Sequence, residues 1–139
     1  DLIDNETRKN MEFGTIVHEI LEHIDFKNLD LSLIENNFIK NIINSLVKTP
    51  LFKDIENVAI FKEYEFIDYD LDIEYHGKID LMIVHDKYID IVDYKLNDLT
   101  DENYINQLNG YKTYISKNTT KEVNIYLFSL LTSTLKKLN

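Results

Sequence analysis

The sequence predicts a mixed α/β (α+β) domain: a central mixed sheet with an antiparallel meander, flanked by helices. Three observations carry this. Apolar residues recur at helical spacing through the first fifty positions. Between Val58 and Lys95 the chain turns to Ile, Val, Tyr and Phe at strand-like spacing, and a nearly continuous apolar run follows from Val123 to Leu130. With 139 residues, of which 44% are hydrophobic, the chain can bury one core and is short for two, so residues 1–139 read as a single domain. Only 3 Gly and 1 Pro interrupt it, which points to long regular elements rather than disorder.

The first helix is expected from about Glu6 to Ile24, with Phe13, Ile16, Val17, Ile20, Leu21 and Ile24 as one apolar stripe. A second helix is expected from about Ser32 to Val47, with Leu33, Ile34, Phe38, Ile42 and Leu46 facing inward and Thr49-Pro50 closing it. Four strands follow, Val58 to Ile67, Asp70 to Tyr75, Lys78 to Val84 and Tyr88 to Lys95, joined by tight turns into an antiparallel meander. A helix from about Asp101 to Ser116 then leads to the strand Val123 to Leu130, whose apolar positions on both faces place it inside the sheet.

Composition excludes several functions. With no cysteine there is no disulfide, no thiolate-ligated zinc and no iron–sulfur cluster on the usual ligands. No apolar run approaches the roughly 18 residues of a membrane span, and Asp1, Leu2, Ile3, Asp4 and Asn5 lack the basic start of a signal peptide, so a cytoplasmic protein with no membrane partner is expected. The missing initiator Met suggests a piece cut from a longer protein. A net charge of −10 opposes broad phosphate neutralisation by the chain itself. Acidic residues that bind metal, and a neighbouring domain that holds the substrate, would reconcile that charge with a nucleic-acid enzyme.

The chemistry concentrates in the hairpin around Asp86-Lys87. A turn symmetric about that pair sets Asp80 directly opposite Asp93, where facing Cβ atoms are only about 4.5–5.5 Å apart and like charges repel. The two-residue period puts Asp93 and Lys95 on one face and Val92 and Tyr94 on the other. Spacing alone leaves two readings open: an exposed sheet face where Lys95 pairs with one aspartate, or a Mg²⁺ site that relieves the repulsion. On the first helix, Gly14, His18 and Glu22 fall at successive i, i+4 steps along the edge of the stripe, and Gly14 is expected to leave room above the imidazole. His18 is then either a metal ligand or a half-buried histidine satisfied by hydrogen bonds. A zincin is excluded, because His18 and His23 are five residues apart and point about 140° away from each other on a regular helix.

In order, these strings resemble the signature of the RecB/AddA-type helicase-nucleases, in the C-terminal nuclease domain of the PD-(D/E)XK superfamily. They are G-T-x-x-H-x-x-L-E (Gly14, Thr15, His18, Leu21, Glu22), G-x-x-D (Gly77, Asp80), D-Y-K (Asp93, Tyr94, Lys95) and Q-L-x-x-Y (Gln107, Leu108, Tyr111). The resemblance spans Phe13 to Ile115 and implies a restriction-endonuclease-like core. It implies His18, Asp80, Asp93 and the Tyr94 carbonyl as metal ligands, and Lys95 as the catalytic lysine beside Asp80 and Asp93. Gln107 and Tyr111 would touch DNA or support the site, and Glu22, Glu63 and Glu65 are candidates to complete the metal shell. Related AddB nucleases carry cluster-binding cysteines, which this chain lacks, so the likeness leans to the AddA/RecB side.

The implied activity is Mg²⁺-dependent hydrolysis of DNA phosphodiester bonds, with Mn²⁺ as a substitute, by an exonuclease of recombination and break repair whose partners are DNA and an attached helicase. An RNA or nucleotide phosphoesterase, and a non-catalytic module on the nuclease fold, are the competing expectations.

Overall fold

A computed structural model describes residues 4–139; Asp1, Leu2 and Ile3 lie outside the described residues. Asp4 starts the first helix, α1 (Asn5–His23), because its carboxylate accepts the free Thr7 N–H at 2.7 Å. The buried positions of α1 are Gly14, Val17 and Leu21, and Ile16, expected in the stripe, is half exposed.

The second helix, α2 (Asn37–Val47), begins five residues later than expected because Asn36 caps it, accepting the Ile39 N–H at 3.0 Å. Its inward face is Ile39, Ile42, Ile43 and Leu46. Leu33 therefore precedes the helix and is 93% exposed, and Phe38 stands half exposed in the first turn against Phe13 rather than inward. Two 3₁₀ turns, Pro50–Phe52 and Ile55–Asn57, lead into the sheet.

The sheet is mixed and five-stranded: β1 (Ala59–Asp70), β2 (Ile73–Val84), β3 (Tyr88–Lys95), β4 (Glu122–Ser129) and β5 (Thr134–Lys137), hydrogen-bonded in that order. β1, β2 and β3 form the antiparallel meander; β4 lies parallel to β3 after the crossover helix α3 (Glu102–Lys117), and β5 returns antiparallel. Where four strands were expected up to Lys95 there are three, because β2 runs unbroken through Gly77. That glycine pairs with Phe66, whose ring covers it so closely that a Cβ there would lie 2.1 Å from Cζ. β5 has no counterpart in the sequence reading; its residues, Thr-Leu-Lys-Lys, bury too little to leave an apolar signal.

Two apolar layers sandwich the sheet. Val17 and Leu21 of α1 and Ile42 and Leu46 of α2 pack with Leu81, Ile83, Val92 and Tyr94 on one face. Leu108, Tyr111 and Ile115 of α3 pack with Ile79, Met82 and Ile91 on the other. Burial on both faces of β3 and β4 is the main apolar driving force for the fold. Among the described residues no helix is long and apolar enough to cross a membrane.

One irregularity positions the site. Strict alternation would put Ile79 with Leu81, yet Ile79 packs with Met82 on the α3 side. The change of face occurs at Asp80 and its neighbour Glu63: β1–β2 pairing runs Lys62↔Leu81 and then Tyr64↔Ile79, and Glu63 between them takes a left-handed φ of 52°. On its other side β2 follows β3 in the register of a turn centred on Asp86-Lys87, but that pairing ends at Leu81↔Val92. The two strands part at Asp80.

Candidate metal centre

Parting strands leave backbone groups unpaired, and Asp80 answers one of them: its Oδ2 accepts the Tyr94 N–H at 2.8 Å. That bond pins the Asp80 carboxylate at the fork, beside Asp93. The expected face-to-face ladder position thus becomes a side-chain contact one step beyond the last ladder pair. Asp93 is 4% exposed, and its Oδ2 has no hydrogen-bond partner among the described residues apart from the ion pair with Lys95 Nζ at 3.0 Å. Burial, and then the Asp93 carboxylate beside it, push the Asp80 pKa up to about 9, against the pull of the Tyr94 N–H. Two carboxylates held together and mostly dry are unfavourable unless a proton or a cation lies between them.

His18 reaches the same point from α1. Its Nε2 lies 3.1 Å from the Tyr94 carbonyl oxygen and its Nδ1 3.9 Å from Asp80 Oδ1, with the imidazole edge-on to the Tyr94 ring. The tautomer protonated on Nε2 donates to the carbonyl and leaves the Nδ1 lone pair facing Asp80, the arrangement by which metal-binding histidines are oriented. The Tyr94 carbonyl, expected as a ligand, is engaged by this bond. Beside Gly14 the nearest neighbour is Leu96, whose Cδ1 would lie 3.4 Å from a Cβ there, an ordinary contact distance.

The third member of the cluster is Glu63. One nitrogen of His18 and one carboxylate oxygen each of Glu63 and Asp80 lie within 4.8 Å of one another, a spacing that one ion could bridge. The set is oxygen-rich and holds a single imidazole, which suits Mg²⁺ or Mn²⁺ better than a soft ion. Sequence reasoning gave Glu63 only an outer place, because no motif predicts a left-handed residue inside a strand. The other two candidates stand differently. Glu22 is exposed on the rim of the cleft, and Glu65 is exposed and lines a neighbouring groove rather than the cluster.

Lys95 closes the opposite side. Besides Asp93, its ammonium meets Gln107 Oε1 at 3.4 Å and sits 4.2 Å above the Tyr104 ring. Tyr104 and Gln107 are three residues apart on α3, so one helix face presents both to the lysine. Tyr104 escaped the sequence reading because it lies outside the Q-L-x-x-Y string. Tyr111 is buried, and burial raises its pKa well above that of a free phenol. Its ring packs edge-on against Phe66, so it supports the wall of the cleft. The whole assembly lines an open cleft of about 890 Å³ bounded by α1, the fork and α3.

No protein-family model matches the chain, and no curated protein is matched.

Proposed function

We propose that this cleft hydrolyses DNA phosphodiester bonds with a bound Mg²⁺ or Mn²⁺, as a PD-(D/E)XK nuclease of the RecB/AddA kind working within a helicase-nuclease. The observation that carries the reading is the fork: His18, Glu63 and Asp80 within reach of one ion, with the Asp93–Lys95 pair against them. The order of the four sequence strings supports it, and so does the carboxylate repulsion that a divalent ion would relieve.

His18, Glu63 and Asp80 would hold the ion, with Asp93 adjoining. When bound, it would supply positive charge to a phosphoryl oxygen and acidify an attacking water. Lys95 supplies a second, fixed positive charge. Asp93, Gln107 and the Tyr104 face hold its ammonium on the cleft wall, where it stabilises negative charge as it develops on the phosphoryl oxygens. Asp80 fixes the end of β3 through the Tyr94 N–H, so the lysine's strand cannot drift from the carboxylates.

The test is to incubate the purified chain with single-stranded DNA, duplex DNA, RNA and a nucleotide phosphodiester, with Mg²⁺, Mn²⁺ or chelator, and then to repeat with Lys95→Ala. Metal-dependent cutting of DNA that Lys95→Ala loses is the expected result. Cutting of RNA or the small diester in preference to DNA would favour a different phosphoesterase, and inertness toward all of them would leave a non-catalytic module.

A further inference from the structure

The catalytic cleft does not end at Gln107. A second groove of about 670 Å³ continues from it along the β1–β2 hairpin, and Lys78, Gln107 and Tyr111 line both. Gly77 and the Phe66 ring both line it, the ring filling the space that a side chain at position 77 would take. Its hairpin wall carries Lys78 and then His76, paired across the ladder with Glu65 and Ile67. Two residues apart on one strand face, Lys78 and His76 are spaced by about 6.7 Å. That is the scale on which a nucleic-acid strand repeats its phosphates.

Lys78 Nζ pairs with Glu63 at 3.3 Å, and Glu63 also belongs to the cation-binding cluster. A cation that draws on Glu63 weakens the lysine's hold on its partner and frees its ammonium, which lines both cavities, for a phosphate. His76 keeps a looser contact, 3.5 Å from Glu74. We infer that this groove carries the DNA strand beyond the scissile phosphate, with Lys78 and His76 contacting successive phosphates. The inference rests on the nuclease reading and adds to it a substrate: a polymer several nucleotides long, entering along the hairpin. It also locates a source of affinity within a chain of net charge −10.

Single-stranded DNA oligonucleotides of two to ten nucleotides, titrated into the Lys95→Ala protein with Mg²⁺ at several salt concentrations, test this by fluorescence anisotropy. Affinity should rise with length and then level off. Adding Lys78→Ala should weaken binding of the ten-nucleotide strand about tenfold and lower the salt slope by about 1, the signature of one lost phosphate contact. Lys78→Arg should restore both, and the dinucleotide should be indifferent to either change. Lys53→Ala, at a residue lining neither cavity, should match its parent throughout. An unchanged salt slope in Lys78→Ala, or affinity that does not depend on length, would overturn the groove while wild-type cutting still upheld the nuclease. A wild type that neither binds nor cuts DNA would overturn both.

Discussion

β3 carries two nearly inaccessible carboxylates three residues apart, on opposite faces of the sheet, and they meet opposite fates. Asp90, 3% exposed, is partnered from within: Asn124 Nδ2 donates to its Oδ1 at 3.0 Å, and His85 Nε2 lies 3.2 Å from its Oδ2. Burial raises its pKa, while Asn124 and His85 pull it back down. Asp93, 4% exposed, has Lys95 on one side and another carboxylate, Asp80, on the other, and it borders an open cleft. The difference teaches what burial alone does not: a buried acid is a structural group when its neighbours are donors. It is a candidate for chemistry when they include a second acid. Access to solvent does not separate the two, since Asp90 and Asn124 line a groove as well.

The largest expected effect separates the two faces by activity. Asp80→Ala, Asp93→Ala and Lys95→Ala should each cut DNA hydrolysis at least about 100-fold: on the proposed reading Lys95 carries one positive charge to the phosphate, Asp80 helps hold the ion that carries the other, and Asp93 holds the lysine in place. Far-UV circular dichroism should show the fold kept. Asp90→Asn should cleave at a rate close to wild type. A variant series in which Asp90→Asn lost activity as fully as Lys95→Ala would erase the distinction.

Stability should divide the two sites in reverse. Asp90→Ala leaves the Asn124 amide and the His85 ring without their acceptor in the interior, at a cost of about 3 kcal/mol. Asp80→Asn removes a repulsive neighbour of Asp93, so in chelator its urea midpoint should equal or exceed that of wild type. A large loss of stability in Asp80→Asn would mean that its bond to the Tyr94 N–H outweighs the repulsion.

Much of this contrast was legible in the sequence, because it depends on parity. Asp93 and Lys95 share a face by the two-residue period, and the turn at Asp86-Lys87 sets the register that brings Asp80 to Asp93. What the pattern did not hold were departures from regularity. The unbroken passage of β2 through Gly77 depends on Phe66 of the neighbouring strand, and the left-handed Glu63 and the switch of Ile79 to the α3 face follow no two-residue period. Leu33 was misplaced for a local reason, the Asn36 cap, which starts the helix only after it, and Phe38 because the inward face runs through Ile39, Ile42, Ile43 and Leu46. The Tyr104 contact with Lys95 joins α3 to β3 and has no sequence period at all.

A third effect is ligand-linked. A cation that binds only the folded protein stabilises it by about 2.7 kcal/mol at one hundred times its dissociation constant. Mg²⁺ should therefore raise the melting temperature of wild type and of Asp90→Asn, and leave that of Asp80→Ala unmoved. Calorimetry that showed equal stabilisation of all three would place the ion away from the fork.

The gentlest effect is a slope with pH in the metal-free protein. Asp80 has a folded pKa raised to about 9 from an ordinary 3.8, so between those values the folded protein retains a proton that the unfolded chain has released. The stability this contributes is complete below about pH 4 and is lost as pH rises toward the folded value, with a limit of about 1.4 kcal/mol per pH unit for one proton. Wild type in chelator should thus become less resistant to urea from pH 5 to pH 8, and Asp80→Asn should flatten the trend. Asp90 contributes in the same direction through its own raised pKa, so the flattening should be partial. Saturating Mg²⁺ should remove the share of the slope that Asp80 carries, because the ion replaces the proton between the carboxylates and the folded and unfolded chains then differ by no proton there. A slope insensitive to both the substitution and the metal would show that Asp80 does not hold that proton.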